Sequence, residues 1–285
     1  MTISIDGKKI ANSILIKLKR RIQMLCKQGT IPRLAVVLIG DNPASLNYIA
    51  RKREAAERIG IDFLFFHLHP RLSPAALIQK IKRLQRRNQL AGLIIQLPLP
   101  KKFKTHQRAI INAINPALDV DCLTDISLGR VMLWTNPLPP PTPFAILEII
   151  KSTHVPLTSK HVVLVGRGDL IGKPLANLLM QYPVALTVCG RDSKPLKKFT
   201  TQADILISGV GKASLITGAM VKRGAIVIDA GFSVNKGKIL GDIDYASAAK
   251  KAAMITPVPG GVGPVTVAKL LENVVRNAER PYGLK

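Results

Sequence analysis

A lysine on the apolar side of a predicted helix is the residue with the clearest reason to do chemistry. The pattern from Leu46 to Gly60 predicts a helix that ends at the glycine. On a helical wheel of about 100° per residue, Lys52 falls inside the apolar arc, one turn after Tyr48. A lysine there either extends to water or is desolvated. Desolvation would lower the pKa of its amine and suit it to proton transfer near neutral pH, and the sequence leaves both alternatives open.

Three polar residues follow buried or extended segments in the first half of the chain. Gln96 comes directly after the predicted strand Leu90–Ile95, where its amide can position and polarise a neighbour but cannot titrate. Asp119 and Asp121 flank Val120, so in an extended chain both carboxylates face the same side. Either could accept hydrogen bonds from a nitrogenous ring, and each taken singly is also compatible with a structural role.

A glycine-rich turn in the second half predicts a dinucleotide site. His161–Val165 is a predicted strand that is apolar from Val162 onward, and Gly166-Arg-Gly168-Asp-Leu-Ile-Gly172 leads from it into a predicted helix. Glycines let the backbone approach a pyrophosphate, and the N–H groups at the start of a helix bind it. The spacing is one residue longer than the usual fingerprint. Further glycines directly after strands, in 207–211 and 228–232, are expected to wall a nicotinamide pocket.

The choice of nucleotide depends on the end of the next strand, Ala185–Cys189. Enzymes that use NAD place an acid there to hold the ribose 2′-hydroxyl. Here Arg191 follows, and a cation suits the 2′-phosphate of NADP, so NADP is predicted; Asp192, one position later, keeps NAD as the alternative.

The elements that must position these residues alternate between strand and helix, which predicts parallel sheets covered by helices. Ser73 and Pro74 mark the start of one such helix, which runs to about Asn88. The proline-rich segment 136–143 predicts a domain junction, and the glycine-rich segment 257–264 precedes a last amphipathic helix. The fold class is therefore α/β, with two domains.

Composition narrows the function classes. Lys and Arg number 42 against 17 Asp and Glu, a net charge of +25. The cations are spread along the chain without a recognition motif, and aromatic residues make up only 4%, so nucleic acid is not the expected partner. No apolar run is long enough for a membrane span and no secretory signal is found, so a cytoplasmic protein is predicted. Three dispersed cysteines and the pair His67 and His69 predict neither disulfides nor a metal site.

The chain resembles the bifunctional methylenetetrahydrofolate dehydrogenase/cyclohydrolase family from end to end. The motifs that carry this resemblance are Tyr48-Ile-Ala-Arg-Lys52, Gly92-Leu-Ile-Ile-Gln96-Leu-Pro-Leu-Pro100, Asp119-Val-Asp121, Val165-Gly-Arg167 with Gly172-Lys-Pro174, Gly224-Ala-Ile-Val-Ile-Asp-Ala-Gly231, and Pro257-Val-Pro-Gly-Gly-Val-Gly-Pro-Val-Thr266.

The resemblance implies a two-step activity of one-carbon metabolism that feeds purine biosynthesis. NADP+ oxidises 5,10-methylenetetrahydrofolate to the methenyl cation, and water converts the cation to 10-formyltetrahydrofolate. It implies an N-terminal three-layer α/β folate domain at 1–140, on which a C-terminal helix at 264–285 packs back. A Rossmann-like NADP domain follows at 141–263, with a cleft between the two domains. A homodimer that binds tetrahydrofolate derivatives is implied as well.

The resemblance also implies roles for individual residues. Lys52 is the general acid/base of water addition, and Gln96 holds and tunes it. Tyr48 lines or stacks on the folate, and Asp121 binds the donor groups of the pterin. Together with Lys52 and Gln96, these two residues are the implied catalytic residues. Pro259 and Gly263 approach the folate. The residues implied to contact the nucleotide are Gly166, Arg167, Gly168, Arg191 and Phe232.

Two positions near Asp121 depart from the family pattern, with Cys122 where a glycine is usual and Leu118 where a lysine is usual. If position 122 needs a positive φ, cysteine there costs on the order of 1–2 kcal/mol. Beside the folate enzyme, two rivals remain: another two-domain dehydrogenase of amino-acid or shikimate type, and a basic nucleic-acid-binding protein on the same fold.

Overall fold

The computed structural model describes residues 2–235 and 238–280 of the 285-residue chain. Internal contacts divide the chain into two compact units. The three-stranded unit is formed by Ser13–Pro141 together with Val267–Lys285. The six-stranded unit is formed by Met1–Asn12 together with Thr142–Thr266.

The helices and strands alternate along most of the chain. The strands are β1 Ile3–Ser4, β2 Arg33–Ile39, β3 Asp62–Leu68, β4 Gly92–Ile95, β5 His161–Val165, β6 Ala185–Cys189, β7 Ile205–Ser208, β8 Ile226–Asp229, β9 Ser233–Asn235, β10 Lys238–Leu240 and β11 Met254–Ile255. The α-helices are α1 Gly7–Lys27, α2 Pro43–Ile59, α3 Pro74–Arg87, α4 Gln107–Ile111, α5 Asp125–Met132, α6 Pro141–Ser152, α7 Gly172–Leu179, α8 Lys197–Thr200, α9 Tyr245–Ala248 and α10 Val262–Ala278.

A parallel sheet of order β3-β2-β4 forms the centre of the three-stranded unit. Its middle strand β2 is buried from Leu34 to Ile39, as expected of a parallel strand covered on both faces. On one face, alternate residues of β2 join a core cluster with Leu77 and Ile81 of α3. Strand polarity brings the carboxyl ends of β2 and β4 to one edge, where Gln96 follows β4.

The C-terminal helix belongs to the three-stranded unit from Val267 onward. The Nδ2 of Asn273 donates hydrogen bonds to the carbonyl oxygens of Val120 at 2.9 Å and Pro139 at 2.7 Å. One turn later, the Nδ2 of Asn277 donates to two further carbonyl oxygens, those of Ala91 and Ala117, each at 2.7 Å. These four bonds fasten the last helix to the loops around β4. Residues 281–285 of the helix segment predicted from the sequence lie outside the described residues.

The six-stranded unit is a parallel sheet of order β1-β11-β8-β7-β5-β6. Such an open parallel sheet with helical crossovers is a Rossmann-like fold, as the sequence predicted. Its first strand differs from the predicted division, which assigned all of 1–140 to one domain. Residues Ile3 and Ser4 pair with Met254 and Ile255, so the first twelve residues group with the second half of the chain.

No helix among the described residues has both the length and the apolar character needed to cross a membrane. Within the same residues, no group of three or more His, Cys, Asp or Glu side chains is arranged to hold a metal ion.

Candidate active site

Helix α2 presents Tyr48 and Lys52 on the same side because they are four residues apart. The side chain of Asn42 caps the helix by accepting a hydrogen bond from the N–H of Ser45 at 3.0 Å, and Pro43 occupies the first turn. Gly60, with φ 94°, closes the other end. With Asn42 as its cap, the helix begins at Pro43, three residues earlier than the pattern from Leu46 indicated.

Lys52 is buried, with only 4% of its surface exposed, so it does not extend to water. Its Nζ donates a hydrogen bond to Oε1 of Gln96 at 3.1 Å. The same Nζ lies 4.6 Å from the centroid of the Tyr48 ring, within cation–π range. Burial lowers the pKa of Lys52, and the negative charge of Asp121 opposes that effect. The lysine is therefore an amine whose protonation is sensitive to its immediate neighbours.

Gln96 is held in one orientation by two hydrogen bonds of its own. Its backbone N–H donates to the carbonyl of Val37 at 2.8 Å, which extends the β2–β4 ladder by one residue. Its Nε2 donates to the carbonyl of Leu97 at 2.8 Å. A flipped amide would place two oxygens against each other at Leu97, so Oε1 stays directed at Lys52.

The two aspartates do different work. The buried carboxylate of Asp119 accepts hydrogen bonds from the N–H groups of Leu123 and Thr124, at 3.1 and 2.8 Å. The chain then turns, so the extended geometry expected to put both carboxylates on one side is wrong. Within residues 2–235 and 238–280, no group donates a hydrogen bond to the carboxylate of Asp121, which leaves it available to a ligand.

Electrostatics join Asp121 to Lys52 and Tyr48. Burial raises the pKa of Asp121, the Lys52 ammonium opposes this, and the carboxylate of Asp119 reinforces it. Burial and the charge of Asp121 also raise the pKa of the Tyr48 hydroxyl, which is therefore a neutral hydrogen-bonding group at physiological pH. Tyr48, Lys52, Gln96 and Asp121, all predicted from the sequence, thus lie together in the three-stranded unit.

Cys122 takes the positive φ that the usual glycine would allow, with a value of 56°. Its buried thiol donates to the carbonyl of Leu138 at 3.1 Å, and Nδ2 of Asn136 donates to its sulfur at 3.2 Å. Burial raises the pKa of this thiol well above its ordinary value, so it stays a neutral donor. The hydrogen bonds offset part of the strain, on the order of 1–2 kcal/mol, of a left-handed non-glycine residue.

In the six-stranded unit, the turn after β5 is as tight as a dinucleotide site requires. A Cβ at Gly166, whose φ is 119°, would lie 2.8 Å from the carbonyl oxygen of Gly209. A Cβ at Gly172 would lie 2.2 Å from the carbonyl oxygen of Gly166. Helix α7 begins at Gly172 without a side-chain cap. The N–H of Lys173 donates to the carbonyl of Gly168 at 3.1 Å and Pro174 has no N–H, so in the first turn the N–H of Gly172 is the one that no described residue accepts. At Gly168, by contrast, the structure leaves open space for a side chain.

Two arginines lie at the end of β6, where the sequence analysis expected the ribose to be read. The guanidinium of Arg167 covers Gly190, since a Cβ there would lie 2.1 Å from its Nε. Arg191 is exposed in the turn that follows, where the N–H of Gly190 donates to the hydroxyl of Ser193 at 3.0 Å. Cationic groups therefore stand at the strand end in place of the acid found in NAD enzymes.

The loops after β7 and β8, predicted as pocket walls, are tied together by an acid that the sequence analysis missed. Asp242 is fully buried, and its carboxylate accepts hydrogen bonds from the N–H groups of 210–212, at 2.6 to 2.9 Å, and from the hydroxyl of Ser208. Its own N–H donates to Asp229, whose pKa burial raises to about 6. Phe232 is 51% exposed beside these loops. In the sequence, the only feature that could have singled out Asp242 is its position directly after Gly241.

The remaining predicted folate residues, Pro259 and Gly263, lie at the start of α10 within the six-stranded unit. Backbone packing shapes this loop, because a Cβ at Gly7 would lie 1.8 Å from the carbonyl oxygen of Gly261. At Gly263 there is open space for a side chain. Pro259 follows a cis peptide bond after Val258.

Comparison with known proteins matches both halves of the chain to one family. The model of the tetrahydrofolate dehydrogenase/cyclohydrolase catalytic domain matches residues 5–121, and that of the NAD(P)-binding domain matches residues 140–282. A bifunctional protein FolD from an Exiguobacterium species is 42% identical over 280 residues, which cover 98% of this chain and 100% of the relative.

Solved structures agree. A bifunctional FolD methylenetetrahydrofolate dehydrogenase/cyclohydrolase from Campylobacter jejuni has a TM-score of 0.91 and 36% identity, covering 98% of this chain and 99% of its own. The Trypanosoma brucei dehydrogenase-cyclohydrolase, solved with NADP cofactor and inhibitor, has a TM-score of 0.92 and 32% identity, covering 98% of each chain. These matches favour neither the amino-acid or shikimate type of dehydrogenase nor a nucleic-acid-binding protein. They confirm the family that the sequence motifs indicated. One unit holds a buried lysine–glutamine pair, and the other holds a tight glycine turn of the dinucleotide-binding type. With these features and its full-length relatives, this chain belongs to the tetrahydrofolate dehydrogenase/cyclohydrolase family.

Proposed function

We propose that the chain oxidises 5,10-methylenetetrahydrofolate with NADP+ and hydrolyses the resulting methenyl cation to 10-formyltetrahydrofolate. Family membership supports the pair of activities. The single observation that supports the chemistry is the buried Lys52–Gln96 pair, because hydrolysis needs a proton-transfer group tuned near the working pH.

Lys52 is the proton carrier of the hydrolytic step. Water adds to the cationic methenyl carbon, the ring opens to a formyl group, and one proton leaves overall. A desolvated amine holds a larger neutral fraction at neutral pH than an exposed lysine, so Lys52 can accept the proton of the attacking water. Protonated Lys52 can then return it to the ring nitrogen that leaves.

Gln96 positions the amine. Because its Nε2 donates to the carbonyl of Leu97, its Oε1 and not its Nε2 faces Nζ of Lys52 and accepts the hydrogen bond. One N–H group of the Lys52 amine is thereby fixed, and the lone pair or the other N–H groups of the nitrogen are left to face the substrate.

The other residues of the site hold the folate. Asp121 receives the N–H donors of the pterin, which suits a carboxylate that accepts no hydrogen bond from any described residue. Tyr48 supplies an aromatic face beside Lys52. Pro259 and Gly263 form a backbone wall for the folate at the start of α10, where Gly263 leaves room for close approach.

The residues of the six-stranded unit fit a dinucleotide phosphate. The Gly166–Gly172 turn, with the N–H of Gly172 at the start of α7, binds the pyrophosphate, and Gly168 and Phe232 line the same strand ends. Arg167 and Arg191 bind the 2′-phosphate, which favours NADP over NAD. When bound, the nicotinamide accepts the hydride from the methylene carbon. We place the enzyme in the cytoplasm as a homodimer, and light scattering coupled to gel filtration tests the dimer.

Replacing Lys52 with methionine tests the proposal. The variant keeps the length of the side chain but loses the titratable nitrogen, so methenyl hydrolysis should fall below detection while NADP binding, measured by fluorescence titration, is unchanged. Lys17→Met, at an exposed position on α1, is the matched control and should hydrolyse the methenyl substrate at the wild-type rate. Hydrolysis retained in Lys52→Met would remove Lys52 from the mechanism. Absence of any NADPH formation from methylenetetrahydrofolate in the unmodified protein would reject the proposed function itself.

A further inference from the structure

Residues 63–118 contain no aspartate or glutamate. The same segment carries ten lysines and arginines, which are Arg71, Lys80, Lys82, Arg83, Arg86, Arg87, Lys101, Lys102, Lys104 and Arg108. A second acid-free segment, residues 7–40, carries eight lysines and arginines, of which Arg21 pairs with Glu279 and Arg33 pairs with Asp62. Of the acid-free segments, 63–118 carries the largest number of lysines and arginines.

The fold collects most of these cations on one surface. Helix α3 packs inward through Leu77 and Ile81, and the short 3-10 helix Lys101–His106 packs inward through Phe103. All three belong to the same core cluster over one side of the three-stranded sheet, so the two helices form one outer layer. The exposed lysines and arginines of that layer, here called the α3 basic face, are Lys80, Lys82, Arg83, Arg86, Arg87, Lys101, Lys102 and Lys104.

No acid neutralises this face. Among the ten cations of the segment, only Arg108 forms an ion pair within the described residues, with Asp125. On α3, Lys82 and Arg86 are four residues apart, as are Arg83 and Arg87, and like charges at this spacing destabilise a helix. A helix that carries such repulsion without internal compensation is relieved by an external polyanion.

The types of side chain on and around the α3 basic face indicate which class of polyanion it can bind. No exposed large hydrophobic side chain lies within 63–118, and the apolar side of α3 is consumed by the core. The face therefore offers nothing to insert into a lipid bilayer and no apolar anchor for a protein partner. It offers no exposed Phe, Tyr or Trp ring for base stacking either, which leaves ionic contact with phosphates.

We propose that the α3 basic face binds the phosphate backbone of duplex nucleic acid without sequence preference. The 14 residues of α3 extend over about 21 Å, and duplex DNA carries about 12 phosphate charges along that length. If all eight cations engage, the logarithm of the binding constant falls with the logarithm of salt concentration with a slope of about −7. This binding is separate from the folate and nucleotide sites, and it does not depend on the proposed function.

Fluorescence anisotropy with a labelled DNA duplex of mixed sequence tests the proposal on the full-length protein. The test variant is the triple substitution Lys80→Gln, Arg83→Gln and Arg87→Gln. The matched control is Lys17→Gln, Lys19→Gln and Arg20→Gln on exposed positions of α1, which removes the same net charge from another helix. Far-UV circular dichroism and dehydrogenase activity show that each variant is folded.

The α3 variant should bind about 100-fold more weakly at about 0.1 M salt, and its salt slope should be shallower by about 3. The α1 control should stay within about threefold of the unmodified protein. Equal losses in both variants would show a general effect of net charge and overturn the proposal. So would the absence of duplex binding by the unmodified protein, with or without binding to vesicles that contain phosphatidylserine.

Discussion

Replacing Gln96 with glutamate puts a negative charge where the amide oxygen now accepts a hydrogen bond from Lys52, 3.1 Å away. A carboxylate there stabilises the protonated amine and therefore raises the pKa of Lys52. At that distance the attraction is about 1.3 kcal/mol with the dielectric constant of water, and about 5 kcal/mol with an effective value of about 20. The smaller figure alone equals about one pKa unit.

The rise in the pKa of Lys52 should be closer to the value that follows from the smaller attraction. Glutamate cannot donate to the carbonyl of Leu97 unless it is protonated, so the loss of the Nε2 hydrogen bond favours the neutral carboxyl group. Burial of the new charge acts in the same direction. We therefore expect the pKa of Lys52 to rise by about one unit, which reduces the neutral fraction of the amine about tenfold below that pKa.

The assay is the pH dependence of methenyltetrahydrofolate hydrolysis, measured from about pH 6 to 10 and corrected for the uncatalysed reaction. The Gln96→Glu variant should lose about tenfold in rate at neutral pH, and the alkaline rise of its profile should move up by about one unit. Gln96→Met removes the same hydrogen bonds without adding charge, so its rate should fall without that upward move. A Gln96→Glu profile that coincides with that of Gln96→Met, or that moves to lower pH, would refute the electrostatic coupling of Lys52 to position 96.

Three further predictions follow from single contacts. Cys122→Gly should be about 1 kcal/mol more stable than Cys122→Ala in urea unfolding, because only glycine relieves the positive φ. Gly190→Ala should displace the guanidinium of Arg167. This variant and Arg191→Ala should each raise the KM for NADP more than the KM for NAD in steady-state kinetics, and equal changes in the two KM values would reassign the 2′-phosphate contact. Asn273→Ala should lower the free energy of unfolding by about 2–3 kcal/mol, because two carbonyl oxygens lose their donor; a change below about 0.5 kcal/mol would contradict this.

Local sequence rules predicted the elements that carry their own signals. Ser73 and Pro74 correctly placed the start of α3, and the strand at 161–165 and the one at 185–189 match β5 and β6 residue for residue. The helical wheel singled out Lys52 because a charge inside an apolar arc is a local anomaly. Whether that lysine is desolvated could not be predicted, since its burial depends on Gln96, which lies 44 positions away.

Features that depend on distant contacts escaped prediction for the same reason. The two-residue strand β1 has no period of its own and exists only because Met254 and Ile255 lie beside it. The different roles of Asp119 and Asp121 have a local cause instead, because the carboxylate of Asp119 accepts hydrogen bonds from the N–H groups of Leu123 and Thr124, four and five residues ahead. Asp242 gave no signal beyond its neighbouring glycine, although it organises three consecutive backbone N–H groups.

Neither compact unit is continuous along the chain, and this has a consequence for biosynthesis. The loops around β4 receive their amide donors from Asn273 and Asn277, which are synthesised at least 134 residues after the carbonyl groups they bind. During translation, the carbonyl groups of Val120 and Pro139 therefore stay hydrated until helix α10 has been made. We expect nascent chains stalled before the final helix to be cut readily by proteases in the first half of the sequence, and to become resistant only once that helix has emerged.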